Sequence, residues 1–251
     1  MKDSAEYLAK KSFFDKIITI YGRNAVLEVL EDESIEIHKL HFSDSNRSVE
    51  QLDRMVQIAK RREIEIAYHD KKALSRISKN AKQDQGVALD IVLKHAISEE
   101  KFLEHKRNFR VIALDGINNP QNLGMIIRSC AGGNIDAIII PTKNSAQISP
   151  LVIKASAGTL FKLPIIKSRN FKSTLKRFKD NNSKLFTLSS HVNRSYRDVD
   201  YPNRTVFILG NESEGVSREI EELSSDSITI PMRRGVESLN VAVTASLLAF
   251  L

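Results

Sequence analysis

Apolar and polar positions alternate over Ile35–Phe42, with one slip in phase, and again over Ile64–Tyr68. Between them, Val49, Leu52, Val56 and Ala59 recur at helical spacing, with Met55 beside them. This pattern predicts strand, helix, strand. A strand over Ile17–Tyr21, a helix over Asn24–Leu30, a helix over Lys72–Ile77 and a strand over Gly86–Leu93 extend it into an alternating α/β unit. Residues 1–16 are polar and aperiodic, which predicts an N-terminal arm. Ser98–Asn108 is charged and nearly free of aliphatics, and marks a linker, one that a helix could fill, over residues 98–108 between a first domain at 17–97 and a second at 109–251.

The second domain alternates as well. Predicted strands are Arg110–Leu114, Ile135–Ile140, Leu163–Ile166, Lys184–Ser189, Val206–Leu209 and Ser227–Ile230. Helices are expected over Gln121–Ala131, Leu151–Ala157, Phe171–Asp180, Arg218–Leu223 and Ser238–Leu251. Unbroken apolar runs such as Val206-Phe207-Ile208-Leu209 suit strands covered on both faces, as in a parallel sheet. The fold class is therefore α/β with a doubly wound layer, whose ligands belong beyond the carboxyl ends of the strands.

Composition narrows the classes. Hydrophobic residues are 41% and charged residues 27%, enough apolar content for a packed core. A single cysteine excludes a disulfide framework and a Cys-based zinc site, and Cys130 lies in an apolar helix as packing. His38 and His41 have no Cys or acidic partner at ligand spacing, so no metal is expected. The longest apolar stretch, Leu239–Leu251, is too short to span a bilayer, and the N-terminal residues lack an apolar signal region. A soluble cytoplasmic protein without a membrane partner is the expectation.

The net charge of +7 is unevenly placed. Residues 1–106 hold 19 basic and 19 acidic side chains, while residues 107–251 hold 19 and 12. Lys162–Arg197 contains ten basic residues, among them Lys172, Lys176 and Arg177, with only Asp180 inside the run. Such a segment attracts a polyanion by counterion release, and RNA or DNA is favoured over a merely solvated helix face.

Three loops carry candidate chemistry. The first follows Leu114, where Asn119-Pro120 is a helix start and places Asn122 in the first turn. Gly124 and Arg128, four apart, share a face. Either Arg128 is held over a gap for a substrate, or Gly124 permits close helix packing and Arg128 is a surface residue. The second loop is Gly210-Asn211-Glu212-Ser213-Glu214-Gly215. It lacks the Lys-Ser/Thr of a phosphate loop, and its acids suit ribose hydroxyls or a cation. The third runs from Ile230-Pro231-Met232 to Ser238-Leu239-Asn240; Ser238 is expected to cap the last helix and Asn240 to sit in its first turn. No Gly-x-Gly-x-x-Gly follows a strand, and no Ser/His/Asp hydrolase signature is visible.

Asn122-x-Gly124-x-x-x-Arg128, Gly210-Asn211-Glu212-x-x-Gly215 and Ile230-Pro231-Met232 with Ser238-Leu239-Asn240-Val241-Ala242, in this order, resemble the SpoU (TrmH-type) branch of the SPOUT RNA methyltransferases over residues 107–251. Ile20-Tyr21-Gly22-Arg23-Asn24-Ala25-Val26 and Gln85-Gly86-Val87 are similar, more weakly, to that family's L30e-like RNA substrate-binding domain. The resemblance implies a C-terminal SPOUT α/β fold with a deep trefoil knot and a mainly parallel sheet. It implies S-adenosyl-L-methionine held by Leu209, Gly210, Asn211, Ile230, Met232 and Leu239, and a homodimer. The implied reaction is methyl transfer to a ribose 2′-hydroxyl, with Arg128 as the catalytic residue and Asn122, Glu212, Ser238 and Asn240 positioning ribose and loops. A guanosine of 23S rRNA is the favoured target, with tRNA second. Arg23, Lys172, Lys176 and Arg177 are the expected RNA contacts. A non-catalytic ribosomal-type RNA-binding protein is the alternative from another class, and a nucleotide-binding enzyme is disfavoured by the missing phosphate loops. Departures from the family pattern include Ser213, which replaces a common glycine, and Asp84, which stands where relatives often carry His.

Overall fold

The computed structural model describes residues 13–14, 16–47, 49–79 and 83–251. Most of the arm expected over residues 1–16 lies outside them. The chain divides into two compact units, one up to Lys94 and one from His95 to Leu251.

The first unit runs β1 (Ile17–Tyr21), α1 (Arg23–Glu31), β2 (Ile37–Ser43), α2 (Glu50–Arg61), β3 (Glu65–His69), α3 (Lys71–Ser78) and β4 (Val87–Val92). Its sheet order is β1-β4-β2-β3, with β4 antiparallel to both neighbours and β2 parallel to β3. The phase slip in the Ile35–Phe42 pattern coincides with a register shift between Ile37 and Lys39. Ile20, Leu40, Leu89 and Ile91 are buried with Val26, Leu30 and Met55 from α1 and α2.

A polar chain crosses four strands of this sheet. Thr19 Oγ1 donates to Asp90 Oδ1 at 2.6 Å, His41 Nε2 lies 3.1 Å from Asp90 Oδ2, and His41 Nδ1 lies 2.9 Å from His69 Nε2. Burial works against the Asp90 carboxylate, but the bonds from His41 and Thr19 outweigh it and hold its pKa below the ordinary 3.8. His41, which has no acidic neighbour in the sequence, thus finds one across the sheet. That partner arrives through strand pairing, which local spacing does not encode. Asp84 acts locally instead. It is buried and accepts from Ser78 Oγ and from the Gly86 amide, both at 3.0 Å, in the turn entering β4.

The second unit comprises α4 (Glu99–His105), β5 (Phe109–Asp115), α5 (Pro120–Gly132), β6 (Ala137–Pro141), α6 (Pro150–Ala155), β7 (Ile165–Ser168), α7 (Phe171–Asp180), β8 (Lys184–Leu188), β9 (Arg204–Gly210), α8 (Arg218–Glu221), β10 (Asp226–Ile228) and α9 (Val241–Ala249). All six strands are parallel, in the order β10-β8-β9-β5-β6-β7. Val111 to Leu114 and Val206 to Leu209 are buried throughout, which is why they read as continuous apolar runs. The predicted linker contains α4, and its one aromatic, Phe102, is buried against the rings of Phe109 and Phe178 at 5.2 and 6.0 Å. Leu103 packs partly buried beside it, and two adjacent apolar positions on a charged helix leave little periodicity to read.

From β5 the chain proceeds to β6 and β7 on one side. It then crosses to β8 and returns through β9, whose exit leads towards β10 on the other side. The connections after β5 and β9 therefore diverge from adjacent strands. That switch point is where an open parallel sheet leaves a crevice for ligands.

Candidate functional site

The three loops singled out in the sequence converge at this switch point. Asn119 caps α5, its Oδ1 accepting from the amides of Gln121 and Asn122 at 2.9 and 3.4 Å, and Pro120 opens the helix. Asn122, 5% exposed, is thereby aimed inwards. Its Nδ2 donates to Glu212 Oε1 at 2.7 Å.

The second loop closes on itself. Asn211 Oδ1 accepts from the amides of Ser213 and Glu214 at 2.9 and 2.7 Å, and Asn211 O accepts from the Gly215 amide at 3.0 Å. The return of Gly215 and Val216 passes so close to Gly210 that a Cβ there would overlap their backbone. Asp115 Oδ2, at the end of β5, accepts from both the amide and the hydroxyl of Ser217, at 2.9 and 2.7 Å. No sequence motif marks Asp115, and Ser217, the N-cap of α8, turns its hydroxyl to that carboxylate rather than to the helix. Their bond ties the end of this loop to the strand from which the first loop starts.

The third loop ends at Asn240, which is the N-cap of α9: its Oδ1 accepts from the Ala242 amide at 2.9 Å. Ser238 is exposed and caps nothing, so the expected capping role passes to Asn240. The reason is the start of the helix at Val241. Asn240 Nδ2 donates to Glu212 Oε1 at 3.0 Å and to Asn122 Oδ1 at 3.2 Å. One carboxylate oxygen therefore gathers amides from the first and third loops. Glu212 is exposed, and no hydrogen bond engages its other oxygen among the described residues, which leaves that oxygen to a donor such as a hydroxyl or cation.

Gly124 resolves one open alternative. A Cβ on it would collide with Ala155 Cβ and the Val152 carbonyl, so its bareness serves the packing of α5 on α6. Arg128, one turn on, is exposed, and no hydrogen bond or ion pair engages it among the described residues. Cys130 on the same helix is buried, and burial pushes its thiol up from 9.0, which excludes it as a ready nucleophile.

Residues 230–239 form an unusual stretch of backbone. Apart from one bond, Val236 N to Arg233 O at 3.3 Å, no hydrogen bond engages these residues among the described residues. Leu209 is buried, while Ile230, Met232 and Leu239 are partly buried. Free amides and carbonyls beside half-covered apolar side chains fit a ligand with a flat ring and polar edges, as an adenosine group has.

The expected RNA contacts are placed unequally. Arg23 is folded back on Gln85, its amide donating to Oε1 at 3.0 Å and its Nε to the carbonyl at 3.1 Å. Lys172 pairs with Glu219 at 3.2 Å, and Arg177 pairs with Glu99 and Glu100. Lys176 is exposed without a partner among the described residues. Acids distant in sequence thus neutralise part of the basic run. Among the described residues, no group of three or more His, Cys, Asp and Glu is arranged for a metal, and no helix is long and apolar enough to cross a membrane.

Comparison with known proteins agrees with this geometry. Residues 110–250 match the model of the SpoU rRNA Methylase family, and residues 19–96 match that for RNA 2′-O ribose methyltransferase substrate binding. A putative TrmH family tRNA/rRNA methyltransferase of Staphylococcus epidermidis is 30% identical over 93% of this chain and 94% of its own. Among solved structures, an AdoMet-bound rRNA methyltransferase from Sinorhizobium meliloti aligns with a TM-score of 0.60 at 19% identity, covering 98% of this chain and 88% of that one. The SpoU methyltransferase AviRb from Streptomyces viridochromogenes, in complex with AdoMet, aligns at 0.62 and 16% identity, covering 98% and 91%. At these identities the structural likeness establishes the fold.

Proposed function

The chain belongs to the SpoU rRNA methylase family, and on that premise we propose that it methylates a ribose 2′-hydroxyl of RNA with S-adenosyl-L-methionine as donor. Large-subunit rRNA, at a guanosine, is the favoured substrate, and tRNA is the second. The observation that carries the reading is the Asn122–Glu212–Asn240 cluster, which joins three separate loops at the switch point of the sheet.

When bound, the cofactor supplies an electrophilic methyl group. In this reading Leu209, Gly210, Asn211, Ile230, Met232 and Leu239 would hold it, and the backbone of Ile230, Met232 and Leu239, without hydrogen bonds among the described residues, would offer donors and acceptors. The cluster keeps Glu212 in one position, so that its free oxygen orients a ribose hydroxyl. Ser238, exposed two residues before Asn240, would offer a further hydroxyl to the ribose.

Arg128 has the chemistry of a charge stabiliser. A guanidinium keeps its proton in neutral water and is a poor base. It can hold the phosphate next to the target ribose and stabilise the oxygen as its proton departs. The proton leaves to that phosphate or to water.

A homodimer is part of the proposal. Met125 and Arg128 face solvent on α5, and Val243 and Phe250 are 48% and 64% exposed on and just after α9. Helices α5 and α9 touch through Ser129 Oγ and Ser246 Oγ at 2.7 Å, so these apolar side chains belong to one helix pair. A second copy would cover them and place Arg128 at an interface.

The test is methyl transfer from labelled S-adenosyl-L-methionine to rRNA and to tRNA, followed by alkaline hydrolysis. A 2′-O-methyl group removes the internal nucleophile, so the label should remain in an alkali-resistant dinucleotide. Label released as a mononucleotide would mean a methylated base and would refute the ribose reading.

A further inference from the structure

We propose that Arg233 and Arg234 form a grip for the phosphate backbone of the RNA strand entering the site; this rests on the methyltransferase reading above. Many basic side chains of the second unit are already occupied. Lys106 pairs with Asp136, Lys172 with Glu219, Arg177 with Glu99 and Glu100, Arg194 with Asp226 and Arg218 with Glu222. Arg110 and Lys179 donate to the carbonyls of Leu251 and Leu223. Arg233 and Arg234 are both exposed, and neither side chain has a partner among the described residues.

Their backbone is the second observation. The Val236 amide donates to the Arg233 carbonyl, and the two residues between have φ of +60° at Arg234 and +74° at Gly235. Two left-handed central residues are the pattern of a type I′ turn, whose first central position favours Asn, Asp or Gly. Arginine there works against the local preference, and such conflicts concentrate where a side chain serves a ligand. The turn sits between Met232 of the apolar cradle and Asn240 of the polar cluster, on chain with almost no hydrogen bonds of its own among the described residues.

The chemistry fits the substrate. A 2′-hydroxyl within RNA always lies beside a 3′-phosphate, and the strand continues through further phosphates on either side. Guanidinium forks match phosphate oxygens in pairs, and two successive forks on a tight turn can hold neighbouring positions along the strand.

The experiment uses the full chain, an oligoribonucleotide of mixed sequence, and S-adenosyl-L-methionine alone. Affinity for the oligonucleotide is measured across a salt series for the wild type, Arg233→Ala, Arg234→Asn and the double variant. Each lost contact should lower the salt slope by about 0.7 for single-stranded RNA, and the double variant should bind several-fold more weakly at low salt. Cofactor affinity by calorimetry should be unchanged, and Arg234→Asn should melt no lower than the wild type because asparagine suits the turn. An unchanged slope and affinity in the double variant would overturn the proposal. So would variants that lose cofactor binding together with RNA, since the turn would then belong to the cofactor cradle. A wild type that binds cofactor without RNA would refute the grip alone, and one that binds neither would refute the methyltransferase reading with it.

Discussion

At the scale of single residues, Asn240 has two separable roles. Its Oδ1 caps α9, and its Nδ2 bonds to Glu212 and Asn122. Asn240→Ser keeps a capping oxygen and loses the amide, so stability should hold within a few tenths of a kcal/mol while methyl transfer falls. Asn240→Ala should lose about 1 kcal/mol as well, measured by urea denaturation. Arg128→Lys keeps a charge but not the fork, and kcat should drop about 100- to 1000-fold with cofactor affinity retained. Asp90 gives a pH signature. Its folded pKa is lowered, so its stabilisation is complete above the ordinary 3.8 and lost as pH falls through the folded value. The stability of the wild type should therefore decline more steeply in acid than that of Asp90→Asn; parallel declines would contradict it. Asn119-Pro120 is legible as a helix start because a cap is a local device. The capping role of Asn240 is not, because two nearby polar residues, Ser238 and Asn240, compete for one cap and only the fold selects between them.

At the scale of elements, Gly124 ties α5 to α6. Gly124→Ala should cost about 1–3 kcal/mol by overpacking, despite alanine's better helix propensity; a stabilised variant would refute the close contact. Val243→Lys combined with Phe250→Glu should convert the proposed dimer to monomer in analytical ultracentrifugation, with the far-UV spectrum unchanged because both side chains are exposed. Elements with strong periodicity are legible within a few residues, and α7 over Phe171–Asp180 to the residue. Helix α4 reads as linker because only Phe102 is fully buried, with Leu103 partly buried beside it. Strand β9 begins at Arg204, earlier than its apolar run, because parallel pairing with β5 continues past the apolar segment.

At the scale of the whole molecule, two alternating units and a parallel second sheet are readable from hydrophobic pattern, because burial on both faces writes continuous apolar runs into the chain. The strand order is not, since which strand lies beside β5 depends on contacts between residues about 100 positions apart. The clustering of the three loops is a consequence of that order. Charge is legible as a total and misleading as a map: the run at 162–197 is partly spent on Glu99, Glu100, Glu219 and Asp226. Only the folded chain reveals which cations stay free for a polyanion.

The proposed chemistry divides between a cofactor cradle at Leu209, Gly210, Asn211, Ile230, Met232 and Leu239 and an arginine that acts on the substrate side. Calorimetric titration of S-adenosyl-L-methionine into the wild type and into Arg128→Ala tests that division most directly. Equal affinities, with methyl transfer lost only in the variant, are predicted. Failure of the wild type to bind the cofactor, or loss of binding on removing Arg128, would contradict it.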